Sequence, residues 1–153
     1  MMRRTLLCVV MGLGLANAVS GAAQEQGLWR ASSSTARSIT GDIGLSNERL
    51  TINFSSFVIS QIRPLQPAEL SSAFDSDSNS GGIGHLYRLH VPATARFLHK
   101  NTLCGSEETQ WMATYVEGRN LKLAFFSSEK PPLFTLEALQ NSTDLCGVYS
   151  YIK

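Results

Sequence analysis

The chain is short of the residues that announce most functions. It has three cysteines in 153 residues, too few for a disulfide-dense scaffold or a cysteine-rich zinc module. Charged residues make up 16% and the net charge is +1, so there is no electrostatic footprint for nucleic acid. Glycine (12) and proline (5) are too sparse for a collagenous or low-complexity chain, and a 43% hydrophobic content excludes a disordered one. Long apolar runs are missing too. The one candidate, Leu6 to Leu15, has about half the ~20 residues that a membrane-spanning helix needs. No Gly-x-Ser-x-Gly, P-loop or His-Glu-x-x-His stands anywhere in the sequence, so no reaction centre and no cofactor is implied.

What is present begins with an address. Arg3 and Arg4 precede the apolar run, and small residues up to Ala22-Ala23 follow it, the three-part layout of a secretory signal peptide. Residues 1–23 are therefore read as a leader and 24–153 as a single β-rich domain. Cleavage fits best after Ala23, with Ala18 as second choice. The protein is expected in the periplasm or outside the cell, with no stable membrane span. Leader removal leaves eleven bases against twelve acids and takes away Cys8. Cys104 and Cys146 then stand alone in an oxidising compartment, where two cysteines are expected to form one disulfide. The loop of about 43 residues that it would close corresponds to on the order of 4 kcal/mol in the chain-entropy model.

The mature chain reads as strand and turn. From Ile39 the apolar period is two, and a turn at Asn47-Glu48 would pair Leu45 with Leu50, Ile43 with Ile52 and Gly41 with Phe54. Beyond Phe54 the parity slips, which predicts a β-bulge at Ser55-Ser56 in a strand running to about Ile62 and stopping at Arg63-Pro64. Pro67 to Phe74 predicts a short helix. Leu86 to Val91 reads as a strand ended by Pro92. The clearest hairpin joins Gln110–Val116 to Leu121–Ser127 around Gly118-Arg119, with a type II′ turn. Both of its faces are partly apolar, as in a hairpin covered on two sides or lying in a barrel wall. Phe134 to Gln140 is ambiguous, and Leu145 to Ile152 is a last strand. Six to eight short strands with one or two small helices predict a mainly β domain, a compact antiparallel barrel or sandwich. Gly27-Leu28-Trp29 resembles the Gly-x-Trp that starts the first strand of lipocalin-like barrels. That resemblance covers three residues and implies architecture alone.

Candidate sites are few. Asp75, Asp77 and Asn79 place oxygens at alternate positions, as a calcium loop does, but Ser80 and Leu86 stand where an EF-hand needs Gly and Glu; a solvated loop is the expectation, and no metal site is assigned. His85, His90 and His99 show no ligand spacing, and His85 and His90 fall on opposite strand faces. Glu107 and Glu108 diverge on a strand. Arg30, Arg37, Arg88, Arg96 and Arg119 are scattered surface charges unless the barrel is hollow and turns one or two inward to hold an anion. Trp29, Trp111, Tyr87 and Tyr115 are core aromatics that would face a ligand if a pocket exists. Asn53-Phe-Ser55 and Asn141-Ser-Thr143 match the glycosylation sequon, which matters only in a glycosylating host.

These features favour an exported, non-catalytic β-barrel module binding a small ligand or a protein partner in the cell envelope. A secreted inhibitor or effector against a host or competitor protein is the alternative, signalled by an exposed aromatic patch. A small envelope hydrolase or isomerase comes third and requires a histidine to meet a carboxylate in a pocket.

Overall fold

A computed structural model describes residues 24–153; the leader expected over residues 1–23 lies outside the described residues. Eight antiparallel strands close into a barrel in sequence order. They are β1 (Gly27–Ala31), β2 (Ile43–Leu45), β3 (Arg49–Ile52), β4 (Ser55–Pro64), β5 (His85–Val91), β6 (Thr109–Glu117), β7 (Asn120–Phe126) and β8 (Leu145–Ile152). Arg30 opposite Ile152 and Ala31 opposite Tyr151 close the ring. The barrel, rather than the sandwich, is therefore the architecture.

Alternation puts one set of side chains in the lumen. Trp29, Leu50, Ile52, Met112, Leu121, Leu123, Phe125, Tyr149 and Tyr151 are all fully buried there. The β6–β7 hairpin has the register read from its sequence, Val116 opposite Leu121 and Met112 opposite Phe125, with Gly118 at φ 58° in the turn. Its second apolar face, including Trp111, Ala113, Tyr115 and Phe126, packs outside the barrel against Leu70, Phe74 and Phe134. The two coverings supposed for this hairpin are therefore one arrangement, a barrel wall with a second layer outside.

Among the described residues three helices, not one or two, flank the barrel. The first, α1 (Ser34–Ile39), lies in the Ser/Thr-rich segment and is capped by Ser33, whose Oγ accepts from the Ala36 N–H at 3.1 Å. It displaces the alternation expected from Ile39, so β2 begins only at Ile43. The second, α2 (Pro67–Phe74), has Pro67 in its first turn, as predicted, and Glu69 there accepting from the Gln66 N–H at 3.0 Å. Arg63 grips the same Glu69 carboxylate with two bonds of 2.8 Å, and those bonds hold the carboxyl below its ordinary range. The third, α3 (Leu136–Gln140), resolves the ambiguous stretch. Gly84 lets β5 approach β6: a Cβ there would meet the Thr114 carbonyl oxygen at 2.1 Å.

The predicted bulge at Ser55-Ser56 is instead a turn. Ile52 pairs with Ser55 and Leu50 with Phe57, so only Asn53 and Phe54 connect β3 to β4. Both have positive φ, 47° and 68°, the geometry of a type I′ turn. The chain reverses here, which is why the parity slips, and Phe54 does not pair with Gly41. β4 does run through to Pro64, and the β2–β3 register is the one expected, Leu45 on Leu50 and Ile43 on Ile52.

Cys104 and Cys146 form the disulfide. It ties the long β5–β6 connection to the start of β8. That connection turns Phe97 and Leu103 inward over one end of the barrel, where both are buried; Phe97 meets Phe57 edge-on at 6.0 Å.

Candidate functional site

Two places in the barrel concentrate features that packing alone does not require. The first lies in the lumen, at the end opposite the disulfide. Glu25, one residue short of the Gly-x-Trp segment's flank, turns its carboxylate inward and is only 1% exposed. Its Oε1 lies 2.7 Å from His85 Nδ1 and accepts from Thr114 Oγ1 at 2.5 Å, and its Oε2 accepts from the Tyr87 hydroxyl at 2.6 Å. The Glu25 carbonyl accepts from Trp29 Nε1 at 2.8 Å. Burial first, and then the carboxylate beside it, pushes the Tyr87 hydroxyl far above its ordinary pKa, so it stays a donor. Above this plug Lys153 Nζ sits 4.5 Å over the Trp29 ring. A histidine and a carboxylate thus do converge. They form a satisfied buried network, and neither lines the two hollows described next.

The second place is a groove of about 580 Å³ on the outer side of β1–β3, lined among others by Leu28, Arg30, Asp42, Asn53, Phe54 and Leu98. A second hollow of about 330 Å³ continues it past Leu28 and Gly44 towards Arg49. Leu28 is 84% exposed between the two, and Phe54 at the groove's rim is 101% exposed. Backbone strain gathers here as well. Of the five non-glycine residues with positive φ among the described residues, Asn53 and Phe54 border the groove, and His99 and Lys100 directly follow Leu98.

The sequence candidates are distributed as follows. Trp29 and Tyr87 lie in the lumen, whereas Trp111 and Tyr115 lie on the outer layer, so the four aromatics do not share one pocket. Trp111 is covered by the Arg88 guanidinium at 4.6 Å, and Tyr115 stacks on Phe74 at 5.7 Å. None of the five arginines turns into the lumen: Arg88 is half-buried on the outer layer, and the other four are exposed. His90 makes an exposed pair with Glu108 at 3.2 Å, and His99 lies in the 3-10 turn Leu98–Lys100. The histidines stay apart.

Side-chain oxygens of the 75–81 loop have protein partners, and one of them, Ser80 Oγ, lies 2.8 Å from the Tyr115 hydroxyl. Asp75 ends α2 in the left-handed region, and Asp77 Oδ1 accepts from the Asn79 N–H at 2.9 Å. Among the described residues no three His, Cys, Asp or Glu gather as a metal site. Added calcium is accordingly expected to leave the melting temperature unchanged; a rise of several degrees in a thermal scan would show a site the loop geometry does not account for.

Sequence reasoning missed Glu25 and Phe54. Glu25 sits in a short polar entry with no motif around it, and Phe54 reads from the sequence as an apolar strand position. The parity slip beside it was the available signal, and it marks a reversal as well as it marks a bulge. Comparison of the chain with protein families, with characterised proteins and with solved structures finds no match, so the reading of function rests on these sites.

Proposed function

We propose that the protein is an exported, non-catalytic β-barrel module that binds a protein partner in the cell envelope, with the β3–β4 hairpin tip and the groove beside it as its contact face. Phe54 is the observation that carries this reading. A two-residue type I′ turn is best made by Asn-Gly, because both residues need positive φ. The chain supplies the Asn and then a phenylalanine, whose Cβ is penalised in that conformation and whose ring gains no burial. A strained residue with no structural return is a mark of function, and a rigid exposed aromatic is the kind of side chain that anchors protein interfaces. Among the described residues the lumen is packed with apolar side chains, which favours the protein partner over the ligand within this reading. The same hairpin also suits the alternative, an inhibitor or effector that inserts its tip into a host or competitor protein.

The test is Phe54→Gly. The variant is expected to melt a few degrees higher, since the turn loses its strain, and to lose a partner that the unaltered mature domain captures from envelope extract or host lysate. Equal capture by both proteins, or a lower melting temperature for the variant, would overturn the assignment.

A further inference from the structure

Charge on the rim of the groove says what kind of segment fits it. Leu28 on β1, Gly44 on β2 and Thr51 on β3 lie in one row across the three strands, and all three line both hollows. Arg30 stands two residues beyond Leu28 and lines the larger hollow, while Arg49 stands two residues before Thr51 and lines the smaller. Among the described residues neither guanidinium has an ion pair or a side-chain hydrogen bond, unlike Arg63, which holds Glu69. The one acid in the lining, Asp42, uses Oδ1 to accept from the Ala31 N–H at 2.9 Å. His99 and Lys100 add basic groups on the Leu98 side. The trough is thus a largely apolar floor with an unpaired arginine at each end and Asp42 as the one acid beside Arg30.

We infer that the trough takes an extended acidic segment of a partner protein, with one carboxylate on Arg30, a second on Arg49, and apolar side chains seated on either side of Leu28. This rests on the docking reading above and adds the partner's chemistry. The spacing follows from strand geometry. Because β1 and β3 run parallel to each other, the two arginines lie on a diagonal about four residues long and two strands wide, roughly 16 Å. An extended chain covers that distance in about five residues, so the partner's acids should stand about five apart with apolar residues between them. Arginine suits the task because its planar fork receives a carboxylate with two bonds.

The probe is a random dodecapeptide library selected on the immobilised mature domain, with amide shifts at Leu28, Gly44 and Thr51 locating the binders. Peptides with acids four to six apart are expected. Their affinity should fall about tenfold or more in the Arg30→Gln/Arg49→Gln double variant and with rising salt. Both arginines are exposed and unpaired, so the variant should melt as the unaltered protein does. The charge-reversed pair Arg30→Glu/Arg49→Glu should select basic peptides instead. Binders that shift the groove amides without acidic enrichment would overturn the inference and leave the docking reading standing. Absence of binders, or shifts elsewhere, would also overturn it, while the docking reading is judged separately by the Phe54-dependent capture.

Discussion

Glu25→Ala is expected to destabilise the domain by about 3–5 kcal/mol, the cost of stripping one partner from a buried ionic network. The carboxylate is the common acceptor for His85, Tyr87 and Thr114. Its loss leaves His85 Nδ1 without its partner, and the Thr114 and Tyr87 hydroxyls with only longer acceptors, the His85 carbonyl at 3.3 Å and Gln61 Oε1 at 3.4 Å; an orphaned buried group costs on the order of 1–3 kcal/mol, less whatever water enters the gap. Against a total stability of about 5–15 kcal/mol this is a large fraction. Glu25→Gln keeps the volume and one acceptor oxygen but presents an amide to groups arranged as donors, so an intermediate loss is expected. A form of the chain begun at Gly27 should lose at least as much as the alanine variant, because it also removes the Glu25 carbonyl that accepts from Trp29 Nε1. Urea unfolding of the three proteins measures this. A loss below about 1 kcal/mol for Glu25→Ala would mean that the network contributes no more than a surface pair does.

That network shows where sequence reading succeeds and where it stops. Strands were legible when both partners of a hairpin carried alternation and the turn residues had the right chemistry. The β6–β7 register, with Gly118 at its turn, and the helix from Pro67 are the clearest cases. They failed where the turn residue was wrong for its own conformation, as at Phe54, since a propensity argument cannot anticipate a residue that is penalised where it stands. The helix α1 was hidden because serine and threonine interrupt an apolar face while also serving as caps, and Ser33 does the second. Both sites escaped for a different reason. Glu25 meets groups 60, 62 and 89 residues away, and the groove combines β1, β2, the β3–β4 turn and Leu98. Only closure of the barrel makes either set adjacent.

Cys104→Ser is the second large effect expected, a loss of about 2–4 kcal/mol with the same result from reduction of the unaltered protein. The bridge spans 42 residues of sequence, but where it acts in the fold matters as much as its length. Between Val91 and Thr109 the chain pairs with no strand and makes only tight turns, at Pro92–Ala95 and Cys104–Glu107, and the 3-10 turn Leu98–Lys100. Phe97 and Leu103 nevertheless cover the barrel end from this segment. Apart from those two burials and a 3.1 Å bond from the Asn101 side-chain amide to the Ser38 carbonyl, the tie from Cys104 to β8 is its main restraint. Opening the tie should therefore loosen the segment before it unfolds the barrel, and hydrogen exchange should rise first over residues 92–108. The same segment carries Leu98 into the groove. Reduced protein at a temperature where the barrel is still folded is thus expected to bind the groove-directed peptides more weakly, although no groove residue has changed. Unchanged melting in reductant would show that the covalent link adds little to the packing of Phe97 and Leu103. Unchanged peptide affinity under the same conditions would show that Leu98 is held in place without it.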